Sequence, residues 1–551
     1  MEEILLQKPG KRLILLGNEA IVRGALEAGV DFVSTYPGTP ASDIGDTFFK
    51  IAKKAEIYFE YSTNEKVALE AGIGASFSGL KTLVAMKNFG LNVCLDALFP
   101  FVYTGSKGPT VIIVADDPSC HSSAQSEENS RGILLSTYIP VLEPADPQEC
   151  KDFTKLAFQI SEKFKIPVVI RTTTRVAHQR APVQLGKIEL QRTFLCNGKF
   201  VKDVKRFVTL PPRVLEMKKE LLEKIEKIKQ FSENSKINFL IDGYPIPIIP
   251  INARLGIITS GISYLNVMGA LEELNLKLSV LKLGFFHPLP ENKIKAFLNP
   301  LKKVLAVEEL EPFLEKEVER LAKQSNCKLE IFGKNLIPET GESKPEIVTT
   351  AIAKFAGKKY QIPNTKYKIQ MPKRLPQLCP GCPYWLVISA IKKAVNLKEV
   401  IFGGEIGCYM LFGNPPVNLQ DYLSCMGSSV GIAHGIKKAT GQKIITFVGD
   451  SSFFHAGIPP LINTVFNKSN PLIIILNNET TAMTGHQPHP GAPAVPNGIN
   501  IENIVRACGV KHVKTLDPIN QNEFIDTVKE FLEKDTVSVI ISKRPCIQIK
   551  R

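Results

Sequence analysis

Two short polar stretches in the C-terminal third, Gly449-Asp450-Ser451-Ser452 and Asn477-Asn478, each follow an apolar run, Ile444–Val448 and Leu472–Leu476. Both runs read as buried strands. Asp450 and Asn478 are therefore expected at strand carboxyl ends, where open α/β sheets bind their ligands. If the strands are neighbours, their tips set a carboxylate and an amide oxygen a few ångströms apart. Mg2+ asks for such hard oxygen donors in an octahedral shell that ligand phosphates complete. Gly449 is expected to give the tight turn, and a helix from about Gly457 to point backbone N–H groups at the anion. The competing reading is an exposed Asp in one loop and an Asn pair in another, since both dipeptides are good turn formers.

The 28-position separation of Asp450 and Asn478 resembles the diphosphate motif of thiamine-diphosphate enzymes. There the aspartate, the second asparagine and a backbone carbonyl two residues on bind the metal. The resemblance implies Asp450, Asn478 and Thr480 for Mg2+, with Gly449 and Ser451 in the same cofactor-binding turn. Thiamine chemistry also needs a carboxylate beside the aminopyrimidine ring to hold a proton there. Glu65, in Ser62-Thr63-Asn64-Glu65-Lys66, opens a helix just after an apolar segment and suits that role. Alternatively it only complements the helix N-terminus, with Asn64 or Thr63 as the cap. Tyr36-Pro37-Gly38-Thr39-Pro40 is a second such feature: its prolines and glycine make a rigid loop able to hold the Thr39 hydroxyl toward a ligand, or simply a turn.

The elements that must carry these residues alternate between strand and helix. Apolar runs at Arg12–Gly17, Asp31–Tyr36, Lys81–Lys87, Thr110–Asp116 and Pro167–Thr172 enclose helical stretches such as Glu19–Ala28 and Glu65–Ser78, the pattern of a parallel sheet wrapped by helices on both faces. A lysine-rich connector follows from about Leu185 to Pro250. A smaller α/β unit comes next, with runs at Leu255–Thr259, Leu278–Leu283 and Val304–Val307. After a second basic connector (Lys358–Lys373), a third unit begins near Leu378, with strands at Val400–Gly404, Lys443–Gly449, Pro471–Leu476 and Thr536–Ser542. The expected divisions are 1–184, a helical connector 185–250, 251–357, a linker 358–377, and 378–551.

A chain of 551 residues exceeds one ordinary core, and 44% hydrophobic with 22% charged residues describes a globular protein rather than a disordered one. No apolar run reaches membrane-span length, and the start MEEILLQKPGK lacks a basic-then-apolar leader, so the expected compartment is the cytoplasm. The formal charge of +14 is spread over lysines. Its densest stretch, Val214 to Lys229, places Val214, Met217, Leu221, Ile225 and Ile228 at helical spacing, so the charges read as the solvated face of an amphipathic helix. No nucleic-acid-binding signature is present, and neither nucleic acid nor membrane is expected as a partner.

Taken together the motifs resemble the large subunit of indolepyruvate ferredoxin oxidoreductase, in the pyruvate:ferredoxin oxidoreductase superfamily. The resemblance runs in order through YPGTP (36–40), NEKVALEAGIGAS (64–76), Asp116-Asp117-Pro118 with His121-Ser122-Ser123, and RTTTRVAH (171–178). It continues through LCPGCP (378–383), EIGCY (405–409), CMGSSVGIAHG (425–435), GDSSFFHAGIPPLINTVFN (449–467) and TAMTGHQPHPG (481–491). It implies an α/β fold of two doubly wound thiamine-diphosphate domains, pyrimidine-type (1–184) and diphosphate-type (378–551), separated by a smaller transketolase-C-like domain (251–357). It implies oxidative decarboxylation of indolepyruvate or another aryl pyruvate to acyl-CoA. CoA and the 2-oxoacid are then substrates, ferredoxin the electron acceptor, and a smaller beta subunit the partner in a hetero-oligomer. Glu65 becomes the aminopyrimidine activator, Thr39 a neighbour of the thiazolium and substrate, and His486 and His489 substrate or proton-transfer contacts or fixtures of a rigid loop.

Members of this family usually carry a C-terminal ferredoxin-like domain with dense CxxCxxCxxxC runs, and this sequence has none. Related 2-oxoacid:ferredoxin oxidoreductases hold one four-iron cluster through a CxxC pair, an IGC cysteine and a late cysteine after a strand. That order implies Cys379, Cys382, Cys408 and Cys546 as ligands of a [4Fe–4S] cluster, with Cys425 the alternative fourth ligand. CxxC pairs also bind zinc, and lone cysteines often serve only as small buried residues. The competing functions are a non-oxidative thiamine-dependent decarboxylase or carboligase, favoured by the missing ferredoxin motifs, and a regulatory subunit without activity, disfavoured by Glu65, Asp450 and Asn478 together.

Overall fold

A computed structural model of the chain describes residues 2–123, 125–189, 198–241, 255–362, 375–493 and 498–549. It divides into two compact units, Met1–Lys366 and Tyr367–Arg551. Parts of both expected connectors, and Cys196, lie outside the described residues.

The first unit is built on a seven-stranded sheet in the order Phe285–His287, Val141–Leu142, Val168–Thr173, Thr110–Asp116, Thr82–Lys87, Phe32–Thr35, Tyr58–Tyr61. Every neighbouring pair is parallel except the first. Thr110–Asp116 is buried along its whole length, as a continuous apolar run in a parallel sheet should be. Helices Gly17–Glu27, Ser42–Ala55, Glu65–Phe77, Asn88–Thr104 and Pro147–Phe164 surround it. Asn64 caps one of them, its side chain accepting from Val67 N at 2.9 Å, and Asp146 caps another through Glu149 N at 2.8 Å.

The run at Arg12–Gly17 does not join this sheet. Arg12–Leu16 instead pairs antiparallel with Arg180–Gln184 in a surface ribbon. Its alternating burial, with Ile14 71% exposed, is the mark of a one-sided strand rather than a buried one.

Also within the first unit is a five-stranded sheet, ordered Glu330–Phe332, Lys303–Val307, Leu255–Ser260, Ser279–Leu283, Phe239–Ile241, parallel except for the last strand. A buried ionic network links the two sheets. Arg131 donates to Glu143 (2.6 and 2.8 Å), Glu308 (2.7 Å) and Ser260 Oγ (2.8 Å), and Arg171 donates to Asp116 (2.8 Å) and Glu143 (3.1 Å). Burial pushes the Glu143 carboxyl up, but the Arg131 and Arg171 guanidiniums outweigh it and hold the group at about 2. Among the described residues Glu309 has no such bidentate partner, and burial raises it to about 7 against the pull of Arg171. The amphipathic helix spans Arg213–Glu233, and Leu221, Ile225 and Ile228 from its apolar stripe enter the core of this unit.

The second unit holds a six-stranded, wholly parallel sheet ordered Tyr422–Leu423, Val400–Gly404, Lys443–Gly449, Leu472–Asn477, Ser538–Lys543, His512–Leu516. The strands ending at Gly449 and Asn477 are neighbours, as the diphosphate motif requires. Among the described residues, no helix is long and apolar enough to cross a membrane.

Candidate active site

In the second unit the strand Lys443–Gly449 passes into a helix with no intervening loop. Asp450–Ser452 is α-helical, Phe453–Gly457 is a π-turn and Ile458–Phe466 is α-helical again. The helix expected from about Gly457 thus begins at Asp450, because the acid stands in the first turn, where the helix dipole favours it. Gly449 has an ordinary extended conformation (φ −77°), so it is not needed for the turn itself. Its role is close approach, since a Cβ there would lie 2.9 Å from a ring carbon of Tyr409.

Asp450 and the Asn478–Thr480 turn meet at this edge. Asp450 Oδ2 accepts from Glu479 N at 2.8 Å, and Asn478 Oδ1 accepts from Thr480 N at 3.2 Å. Glu479 takes a left-handed conformation (φ 66°), which curls the turn around the carboxylate. Thr481 Oγ1 donates to Ser451 Oγ at 3.0 Å. Asp450, Asn478 and Thr480 are all buried. The two histidines part company. His486 is exposed, whereas His489 is buried with Nε2 at 3.0 Å from Asp450 Oδ2, though without hydrogen-bond alignment. His489 Nδ1 accepts from Gly491 N at 3.1 Å, which assigns the ring proton of a neutral imidazole to Nε2, facing the aspartate.

Glu405 is a fully buried neighbour that spacing arguments passed over. Its carboxylate accepts from Tyr409 OH and Gly427 N, and from Gly449 N at 3.4 Å, while Tyr409 OH accepts from Gly449 N at 2.8 Å. Burial raises Glu405 to about 7 against these hydrogen bonds. The available signal was an acid closing the apolar strand Val400–Gly404, the same pattern that singled out Asp450. Gly427 (φ 77°) caps the helix Ser428–Thr440, and in its first turn Ser429 Oγ is buried without a hydrogen-bond partner. Hard oxygen donors at Asp450, Asn478 and Thr480, a helix N-terminus and an orphaned hydroxyl fit a metal–diphosphate group.

The thiols of Cys379 and Cys546 act electrostatically on both Cys382 and Cys408, and Cys382 acts on Cys408; Cys425, exposed like Cys379, is not among the thiols acting on either. Burial, and then the other thiols, push Cys382 to about 11 and Cys408 to about 12. Among the described residues no three His, Cys, Asp or Glu side chains converge tightly enough for a single metal ion. A cubane spreads its ligands farther apart than one tetrahedral ion does, and the all-sulfur donor set fits it. The Cys379 carbonyl accepts from Trp385 Nε1 at 3.2 Å, and Asn478 O accepts from Cys546 N at 3.0 Å, tying the late cysteine to the Asn478–Thr480 turn.

In the first unit, Glu65 opens its helix, buried, with its side chain against Gly90. A Cβ on Gly90 would lie 2.5 Å from Glu65 Cγ. The half-buried Thr39 lies 3.4 Å, oxygen to oxygen, from Ser42 Oγ. At the same sheet edge Lys87 ends the strand Thr82–Lys87 and donates to Ser123 Oγ at 2.8 Å. Burial lowers its ammonium against the opposing fields of Asp117, Glu65, Cys120 and Glu128. The loop beyond Asp116 carries two consecutive left-handed residues, Ser119 (φ 66°) and Cys120 (φ 51°). Asp117 holds that loop by accepting from Ser122 N (2.7 Å) and Thr174 Oγ1 (2.6 Å).

Residues 23–231 match the family model described as pyruvate flavodoxin/ferredoxin oxidoreductase, thiamine diP-binding, and residues 405–542 that of the thiamine pyrophosphate enzyme C-terminal TPP binding domain. The indolepyruvate oxidoreductase subunit IorA of Methanothermobacter thermautotrophicus is 43% identical over 562 residues, covering 99% of this chain and 89% of that protein. That of Pyrococcus horikoshii is 42% identical over 574 residues, covering 98% and 87%. Among solved structures, the 2-oxoglutarate:ferredoxin oxidoreductase of Magnetococcus marinus superposes with a TM-score of 0.50 at 18% identity, over 63% of this chain and 66% of that one, a likeness of fold.

Proposed function

The chain belongs to the indolepyruvate oxidoreductase IorA family, and from that premise we propose that it is the catalytic subunit of a 2-oxoacid:ferredoxin oxidoreductase acting on indolepyruvate or another aryl pyruvate. The reaction is thiamine-diphosphate-dependent oxidative decarboxylation to acyl-CoA, carbon dioxide and reduced ferredoxin. The observation that carries the reading is the convergence of Asp450, Asn478, Thr480 and His489 on one turn at the carboxyl edge of a parallel sheet, in a chain that also presents a buried Glu65 at a helix start.

Thiamine diphosphate, when bound, supplies the carbon nucleophile and the electron sink. In this reading Asp450, Asn478 Oδ1 and the Thr480 carbonyl hold Mg2+, and Gly449 and Ser451 line the diphosphate turn. His489, beside the Asp450 carboxylate, is a substrate or proton-transfer contact, and Glu65 holds a proton at its carboxyl for the aminopyrimidine. The Thr39 hydroxyl faces the reacting region from its rigid loop, and the exposed His486 is a substrate contact from the turn that follows. Cys379, Cys382, Cys408 and Cys546 would ligate a [4Fe–4S] cluster, which supplies a one-electron relay. A smaller subunit of the same oxidoreductase, and ferredoxin, are the expected partners.

The test is anaerobic dye reduction by the complex purified with its partner subunit, supplied with an aryl pyruvate, CoA, thiamine diphosphate and Mg2+. Reduction that depends on each component is expected. Release of the aldehyde without dye reduction would replace the proposal with a non-oxidative decarboxylase, and no conversion of any 2-oxoacid would overturn it.

A further inference from the structure

We propose that Lys87 receives the carboxylate of the substrate, anchoring the 2-oxoacid anion at the carboxyl edge of the seven-stranded sheet. The inference deepens the functional reading above and rests on it.

Position comes first. Thr82–Lys87 is flanked in the sheet by Phe32–Thr35 and Thr110–Asp116. Its last residue therefore emerges between the Tyr36–Pro40 loop, which carries Thr39, and the loop beyond Asp116. The lysine stem lies on Gly38, where a Cβ would come 2.9 Å from Lys87 Cγ and 3.0 Å from Cδ. A glycine at 38 is thus what lets the stem run past Thr39. Glu65, which the functional reading places at the aminopyrimidine, is close enough to act on the same ammonium electrostatically.

The partners decide what the ammonium is for. Ser123 Oγ, at 2.8 Å, takes one of its three N–H donors, and the Phe89 ring centroid lies 4.7 Å away. Among the described residues no carboxylate is within ion-pair distance of Lys87. Of the acids whose fields reach it, Asp117 is engaged with Ser122 and Thr174, and Glu128 with Asn92 Nδ2 at 2.7 Å. A largely buried ammonium without a carboxylate is uncommon in a core, where charges are paired. Here the missing anion matches what a 2-oxoacid carries at neutral pH. The ammonium is a compact point charge that can take a carboxylate without demanding the planar fork of an arginine. Ser123 aims it, and Asp117, by fixing the strained Ser119–Cys120 turn, holds Ser123 in place.

The experiment uses the complete complex. Lys87→Met should raise KM for the aryl 2-oxoacid about 10- to 100-fold, the value of one charge-assisted hydrogen bond, and leave the affinity for thiamine diphosphate unchanged. Two competitive inhibitors separate a binding role from a structural one: an aryl acetate and the corresponding aryl acetamide. The acetate should weaken with KM and the amide should not, and Lys87→Arg should recover part of the acetate affinity. Ser123→Ala keeps the lysine but loses its aim, and should raise KM several-fold with the amide unaffected; it serves also if the methionine variant does not fold. Equal weakening of acetate and amide, or unchanged KM in both variants, would overturn the proposal. Failure of the wild-type complex to oxidise any aryl 2-oxoacid would instead refute the functional reading.

Discussion

Gly90→Ala is a methyl-sized perturbation aimed at Glu65 from another helix. The new Cβ would lie 2.5 Å from Glu65 Cγ and 3.0 Å from Cδ and Oε1, against the ~3.5–4.0 Å at which carbons rest in contact. Gly90 is buried in the helix Asn88–Thr104, so the glutamate side chain must give way, by about 1 Å. A displacement of that size at a reacting group costs on the order of 100-fold in rate. Stability should fall by no more than about 2 kcal/mol, because about 1–3 kcal/mol of overpacking is partly offset by about 1 kcal/mol of helix propensity gained. Gly74→Ala is the matched control: it lies in the Glu65 helix itself with nothing within 4 Å of the new Cβ, and should leave activity intact. The assay is exchange of the C2 proton of bound thiamine diphosphate into D2O, which needs neither substrate nor electron acceptor, followed by anaerobic turnover. Wild-type exchange in Gly90→Ala, with cofactor saturating, would refute the assignment of Glu65 to the cofactor.

Burial raises both Glu405 and Glu309 from an ordinary 4.5 to about 7. The folded state therefore holds these protons more tightly than the unfolded one. Their contribution to stability is full below about pH 4.5 and is lost as pH rises through about 7. Glu405→Gln and Glu309→Gln should each flatten the decline in melting temperature across that window, and an unaltered pH profile would count against the burial argument. Arg171→Met strips the cation from Asp116 and Glu143 and should cost about 3–5 kcal/mol, read by calorimetry as a lowered first transition. Trp385 is the sole tryptophan of the chain and donates to the Cys379 carbonyl. Anaerobic loading with iron and sulfide should quench its emission in the wild type but not in Cys408→Ser, and emission unchanged on loading would argue against a cluster at these thiols.

Much of the sheet architecture was legible because parallel strands buried on both faces are continuous apolar runs; Thr110–Asp116 and Lys443–Gly449 were bounded to the residue. Arg12–Leu16 looked the same at the level of composition, and only its half-exposed pairing with Arg180–Gln184, 168 positions from Arg12 at its start, sets it apart. The Asp450–Asn478 edge was readable because a spacing carried it. Lys87 and Glu405 escaped because each is a single charged residue at a strand end, and what gives them meaning is a partner far along the chain: Ser123 for one, Gly427 and Gly449 for the other. The Arg131–Arg171 network is likewise invisible in any local window, since Arg131 to Glu308 spans 177 positions. The two histidines of the 481–491 stretch were indistinguishable as letters; a left-handed backbone at His486 turns one outward, while the other faces Asp450.

The backbone hydrogen bond from Cys546 N to Asn478 O has a thermodynamic corollary. Asn478 belongs to the turn assigned to the metal and diphosphate, and Cys546 to the set assigned to the cluster, so filling either site acts on a strut shared with the other. Coupling of this kind is reciprocal: whatever factor the cluster contributes to cofactor affinity, the cofactor returns to cluster retention. Apo-protein stripped of thiamine diphosphate should then bind a cluster more weakly at equilibrium, and cluster-free protein should hold its cofactor less tightly, by the same ratio.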